Sequence, residues 1–329
     1  MVIRSTAAVP DASQPLCRDA AAWDLVPPPP GADLAAAQAY CRHVARRHYE
    51  NFTVATRLVP DRLRQHLANV YAFARWSDDL ADEGHDRSRA IVGLADWRRG
   101  LEECFAGRPG HPIYVALAET ARRTGLTIEP FAALLDAFDE DAAFDAAGTL
   151  VRYADRASLA AYCRRSADPV GRIVLALEGC RDAELVSMSD AICTGLQLVN
   201  FWQDIRRDRR AGRVYLPGAD MARHGVTVDM LDQGGAPDAL RHLVRDAVGW
   251  ARERFDVGAP LAVAAPAVLR PAIGMFLAGG RAVADAIERA GFDTLSRRPT
   301  VGRLHKLALA ARAWWGLMGV PRRGRGGLP

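Results

Sequence analysis

Apolar residues along the chain recur at steps of three and four, and proline or glycine falls at most changes of phase. Such steps put side chains on one face of an α-helix, because successive residues turn by about 100°. From Asp33 the pattern is helical: Leu34, Ala37, Tyr40, Cys41 and Val44 share a face, and the Asp33 carboxylate is placed to cap the first turn. Pro60 opens a second helix, in the first-turn position that proline favours. The spacing predicts further helices near residues 88–106, 112–124, 129–145, 156–165, 169–179, 183–207, 238–257, 267–290 and 300–316. Pro112, Gly125, Pro130 and Pro169 punctuate them. Alternating β-branched runs are absent, and Val214-Tyr215-Leu216-Pro217 is too short for a strand. The expected fold is all-α, a single helical domain over residues 34–316 with a central cavity between helices. Residues 1–33, with a proline run from Pro27 to Pro30, read as a disordered leader, and residues 317–329 as a basic flexible tail.

Two acidic ladders break the apolar faces. Tyr71, Ala74, Asp78 and Asp82 fall on one side of the helix that follows Pro60, so two carboxylates one turn apart point where the apolar side chains before them point. Buried carboxylates are costly unless a cation or hydrogen bonds neutralise them. A second ladder, Asn200, Asp204 and Asp208, repeats at four-residue steps 122 residues further on. Two such ridges facing each other make an oxygen-lined cage suited to a hard divalent ion, and magnesium commonly binds through a few carboxylates plus substrate phosphates. Arg75, Arg206, Arg207, Arg209, Arg210 and Arg213 lie beside the ladders. Guanidinium forks match phosphate oxygens at two points. Carboxylates, magnesium, diphosphate and arginine together describe ionisation of an allylic or cyclopropylcarbinyl diphosphate in a water-poor pocket. A lone Asp-Asp-x-x-Asp run is usually a solvated helix face. The matching second ladder, with Phe201 and Trp202 inside it, favours the metal reading.

Composition narrows the picture further. Half of the 329 residues are hydrophobic and the net charge is only +4, with no basic stripe carrying interleaved aromatics, so nucleic acid is not an expected partner. Of 43 basic residues only Lys306 is lysine, so the abundance of arginine reflects compositional bias as much as function. Six cysteines show no Cys-x-x-Cys and read as small core residues in a reducing compartment. Residues 259–280 are the most apolar stretch, but Pro260, Pro266, Arg270 and Pro271 interrupt it, and a buried or surface-lying helix suits it better than a membrane span. No cleavable signal pattern is present. The expected location is the cytoplasm, with peripheral contact at the inner face of the membrane allowed by the basic tail (Arg322, Arg323, Arg325).

With those residues in hand, the chain resembles the squalene/phytoene synthase family over roughly residues 34–316. Asp78-Asp79-Leu80-Ala81-Asp82-Glu83 matches the first Asp-rich motif, Asn200-x-x-x-Asp204-x-x-x-Asp208 the second, and Gly212-Arg213-Val214-Tyr215-Leu216-Pro217 the segment after it. The resemblance implies one all-α isoprenoid-synthase domain with both motifs facing a central cavity. It also implies that Asp78, Asp82, Asn200, Asp204 and Asp208 hold magnesium, that His48, Arg75, Gln197, Arg213 and Tyr215 lie around the diphosphate, and that Tyr162 sits near the cation.

Two departures point to one branch. Where condensing members usually carry Ser-x-Ser-Phe, this chain has His48-Tyr49-Glu50-Asn51-Phe52-Thr53; where they carry Arg before the second-motif Asp, it has Gln203. Glu50-Asn51-Phe52, the run from Tyr162 to Arg172, and Asn200-Phe201-Trp202-Gln203-Asp204 look like the hydroxysqualene synthase branch. That branch turns presqualene diphosphate and water into hydroxysqualene and diphosphate in bacterial hopanoid pathways. Its pathway partners are a presqualene diphosphate synthase and a squalene-forming reductase. Asn51 and Gln203 are then candidates for placing the water that quenches the cation. Two other readings compete: a transferase that joins two prenyl diphosphates head to head, and a non-catalytic helical assembly protein on the same fold.

Overall fold

Several helices begin where a local signal frees or satisfies their first N–H groups. The computed structural model describes residues 27–28, 31–48, 60–82, 87–147 and 150–301. Helix α1 spans Leu34–His48, capped as expected by Asp33 Oδ1, which accepts from Ala36 N at 2.7 Å. Helix α2 spans Asp61–Asp82, with Pro60 one residue outside it and accepting from Leu63 N at 2.9 Å. Then come α3 (Arg87–Phe105), α4 (Pro112–Thr124) and α5 (Glu129–Ala147). Gly125, at φ 67°, closes α4 in the left-handed conformation that a side chain disfavours. Helix α6 (Arg156–Ser166) opens on a reciprocal capping box between Asp155 and Ser158. It is followed by α7 (Asp168–Leu177) and the long α8 (Ala183–Arg210), whose N-cap Asp182 accepts from Glu184 N and Leu185 N.

The predicted helices near 238–257 and 267–290 appear as α10 (Asp238–Gly258) and α12 (Arg270–Arg289). Three short elements escaped the periodicity: α9 (Gly218–His224), a 3₁₀ turn at Val228–Asp232 and α11 (Leu261–Ala264). Each is too short for a 3.6-residue repeat to register. Helix α8 runs to Arg210, three residues past its expected end, so the whole second ladder lies on one helix. No strand occurs among the described residues; Val214 forms only an isolated parallel bridge with Val151. The leader, apart from residues 27–28 and 31–33, the expected helix at 300–316, apart from the non-helical residues 300–301, and the basic tail lie outside the described residues.

Packing divides the helices into two groups joined by a middle layer. Helix α2 packs on α1, α3, α4 and α5, around the buried rings of Phe73, Trp97, Tyr114 and Phe131. Helix α8 is the axis of the other group and packs on α7, α10 and α12. At Gly258 α8 and α10 leave no room for a side chain: a Cβ would stand 2.8 Å from the Met188 carbonyl oxygen. Helices α5, α6 and α7 link the groups, so the two acidic helices, α2 and α8, belong to different packing groups. Among the described residues no helix is long and apolar enough to cross a membrane.

Candidate active site

On α2 a guanidinium stands between two carboxylates. Arg75 Nη1 donates to Asp78 Oδ2 at 3.0 Å and Arg75 Nη2 to Asp79 Oδ1, the i+3 and i+4 partners that helical geometry brings within reach. Asp78 is 45% exposed and Asp79 17%, so the more sheltered carboxylate is the one outside the expected ladder. The side chains of Asp82 and His48, and all of Asn51, lie outside the described residues.

On α8 the second ladder meets a residue from 94 positions away. Arg298 Nε donates to Asp204 Oδ1 at 2.5 Å and its Nη2 to Asp204 Oδ2 at 2.9 Å, the two-point geometry of a strong charge-assisted pair. The same Nη2 donates to Gln203 Oε1 at 2.8 Å, and Gln203 Nε2 donates to the Pro299 carbonyl at 2.5 Å. The buried Gln203 amide is therefore engaged on both sides by the 298–299 segment. Asn200, one turn earlier, is exposed, and Gln197 is half-buried. One turn later, burial and the neighbouring Asp204 push the Asp208 carboxyl up to about 7, against Arg213, Arg207 and Arg152. Arg206 and Arg209, counted among the phosphate-facing arginines by position, instead brace the fold: Arg206 donates to the Leu295 and Gln233 carbonyls, and Arg209 to Asp232 at 2.7 Å.

Beside the second ladder stands an aromatic cluster. The backbone bridge at Val151 and Val214 (Arg152 N to Val214 O, 3.2 Å; Val214 N to Leu150 O, 2.9 Å) fixes the segment after α8 beside the start of α6. This places Tyr215 flat on Phe201, with ring centroids 3.9 Å apart and planes 12° from parallel. Tyr162 lies 6.3 Å from Phe201 and 6.4 Å from Tyr215. Its hydroxyl donates to Asp141 Oδ2 at 2.9 Å, and the buried Arg152 holds the other Asp141 oxygen while its guanidinium lies 5.3 Å from the Tyr215 ring. Burial, with Asp141 beside it, holds the Tyr162 phenol well above its ordinary value. Burial also raises Asp141, against Arg152, Tyr162 and Arg213. Asp208, Arg213 and Tyr215 line one small recess together.

Elsewhere on α8, an apolar cleft of about 130 Å³ lies between α7, α8, α11 and α12, lined by Val170, Val174, Ile192, Leu196, Leu261 and Phe276.

The structure thus gathers Arg75 with Asp78, Gln203 with Asp204, Asp208 with Arg213 and Tyr215, and Tyr162 with Tyr215. Sequence reasoning missed Arg298, Asp79, Asp141 and Arg152. The acidic run Asp136, Asp139, Glu140 and Asp141 inside a predicted helix was a signal for Asp141; nothing local marked Arg298. Among the described residues no three His, Cys, Asp or Glu side chains gather as a metal site. The donor chemistry nevertheless fits a hard cation. Every ladder side chain offers oxygen, and Asp208 keeps its proton up to about 7 through burial and the repulsion of Asp204, both of which a divalent ion would offset.

An all-helical fold with two acidic helices, arginines beside their carboxylates and an apolar cleft along α8 marks the isoprenoid-synthase class. The squalene/phytoene synthase model matches residues 45–305, and the chain belongs to that family of enzymes acting on prenyl diphosphates. It is 30% identical over 286 residues to a phytoene synthase from Arthrospira platensis, covering 82% of this chain and 91% of that one. A presqualene diphosphate synthase from Rhodopseudomonas palustris is 33% identical over 177 residues, 54% of this chain and 61% of its own. The crystal structure of squalene synthase HpnC from Alicyclobacillus acidocaldarius shares the fold at a TM-score of 0.73 and 38% identity, over 79% of this chain and 95% of that chain.

Proposed function

We propose that this enzyme converts presqualene diphosphate and water to hydroxysqualene and diphosphate, as a carbon–oxygen lyase in squalene and hopanoid biosynthesis. The observation that carries the reading is the aromatic cluster of Tyr162, Phe201 and Tyr215, two of whose rings line the same recess as Asp208 and Arg213. Arg213 and Arg75, with His48, Gln197 and Tyr215, grip the diphosphate. The carbon–oxygen bond breaks with both electrons leaving on the diphosphate, and the ring faces of the cluster, electron-rich at their centres, stabilise the cyclopropylcarbinyl cation and its rearranged form. Asp78, Asp82, Asn200, Asp204 and Asp208 would hold magnesium, which supplies positive charge for the leaving group. Water then forms the new carbon–oxygen bond and releases a proton. Asn51 is the candidate for placing that water; Gln203, with both ends of its amide engaged, acts through Arg298.

One observation favours the condensing reading as the alternative. Condensing members place an arginine where this chain has Gln203, yet the Arg298 guanidinium lies 2.8 Å from the Gln203 amide oxygen, so a guanidinium stands there after all. Product analysis by mass spectrometry separates the two, with magnesium present and each substrate supplied alone. Hydroxysqualene from presqualene diphosphate, with farnesyl diphosphate untouched, is the expected result. Consumption of farnesyl or geranylgeranyl diphosphate alone would move the enzyme to the head-to-head transferases.

A further inference from the structure

Helix α5 carries two adjacent carboxylates that hold α6 and the segment before it. Glu140 accepts from the Tyr153 hydroxyl at 3.2 Å and from Arg165, while Asp141 accepts from the Tyr162 hydroxyl at 2.9 Å and from Arg152. The two arrangements match, one tyrosine and one arginine each, but their arginines stand in different surroundings. The Arg165 side chain is 36% exposed, that of Arg152 only 1%. The Arg152 guanidinium also lies 5.3 Å from the centroids of two rings, Phe144 and Tyr215. Tyr215 in turn stacks on Phe201 and lines the recess that holds Asp208 and Arg213. Asp208 also acts on Arg152, but it belongs to the proposed metal set; Asp141 does not.

A buried guanidinium needs a counter-charge. Close to a ring it also takes up the electron density that would stabilise another cation. At an effective dielectric of about 20, a unit charge about 6 Å from a forming cation changes its rate of formation about 100-fold. We infer that Asp141 is a positioning residue for the ionisation step: its carboxylate orients the Tyr162 ring through the hydroxyl and cancels the charge that Arg152 would otherwise present to Tyr215. Glu140, with the same kind of partners on an exposed arginine, is a clamp alone. The inference rests on the proposed function only in that a cation forms beside these rings, and it holds for the lyase and for the transferase alike.

Equilibrium binding of two prenyl probes tests it without turnover. Farnesyl-trimethylammonium carries a fixed positive charge and farnesol is its neutral counterpart; both are titrated calorimetrically into the full-length protein at pH 8, with magnesium and diphosphate present. The parent is expected to favour the ammonium. Asp141→Asn keeps the shape and loses the charge, and is expected to weaken ammonium binding about 100-fold while farnesol changes less than about threefold. Arg152→Gln is expected to act in the opposite direction, tightening ammonium binding about tenfold or more. Glu140→Gln should leave the ratio of the two affinities at the parent value. A clamp broken from either side would weaken both probes in both variants, so the opposite signs separate charge from shape, and either variant suffices if the other fails to fold. Equal losses of ammonium and farnesol in Asp141→Asn would overturn the inference. So would an unchanged ratio in Arg152→Gln, or a parent that binds the two probes alike. Absence of hydroxysqualene from presqualene diphosphate, with the ammonium preference and its dependence on Asp141 intact, would instead remove the lyase reading and leave the role of Asp141 standing.

Discussion

Asp168→Asn should make the protein more stable at alkaline pH and leave it nearly unchanged in acid. Asp168 starts α7 and is buried, 2% exposed, with one hydrogen bond from Thr194 Oγ1 at 2.8 Å. Burial raises its carboxyl from 3.8 to about 7, helped by Asp190 and opposed by Thr194, Arg172 and Arg164. Below about pH 4 both folded and unfolded chains carry the proton. Between about 4 and 7 the unfolded chain releases it while the folded one keeps it, so stability falls as pH rises through that window and levels off above it. At about 1.4 kcal/mol per pH unit the full difference is about 4 kcal/mol. That figure is an upper bound, because the first turn of α7 favours an anion. Asparagine keeps the acceptor for Thr194 and never ionises. Urea denaturation of parent and variant at pH 5 and pH 8 should show the variant gaining at least about 1 kcal/mol on the parent between the two. A variant that loses ground at pH 8 would refute the reasoning, because Asp168 would then serve the fold as a charged group.

Three further outcomes follow from the site and its supports. Asp204→Ala and Asp78→Ala should each lower turnover about 100-fold or more with the helical circular dichroism intact, read by release of inorganic diphosphate. Full activity in either would remove that carboxylate from the metal and diphosphate site. Tyr162→Phe keeps the ring but strips Asp141 of one donor, and should lower stability by about 1–2 kcal/mol in urea titrations while turnover falls less than for Tyr162→Ala. Equal losses in Phe and Ala variants would mean that the aromatic face contributes nothing. Gly258→Ala places a methyl group 2.8 Å from the Met188 carbonyl oxygen and should cost about 1–3 kcal/mol, measured by chemical denaturation. An unchanged midpoint would show that α10 can move off α8 freely.

The sequence by itself determined the long helices and which acidic side chains share a helix face. Side chains at 3.6-residue spacing and caps such as Asp33, Asp155 and Asp182 act within one or two turns, so their information is local and readable along the chain. The Asp-rich ladders were legible for the same reason, since a four-residue step fixes which carboxylates share a face. Tertiary structure decided which groups those carboxylates meet. Arg298 reaches Asp204 across 94 residues, Arg75 takes Asp79 as well as Asp78, and Tyr162 hands its hydroxyl to Asp141. It also turned Gln203 toward Pro299 and Arg298, and drew Arg206 and Arg209 away into loop carbonyls and Asp232. Such pairings depend on how whole helices pack, through contacts between residues far apart in sequence. Periodicity says which face of a helix is buried, and only packing says what that face is buried against.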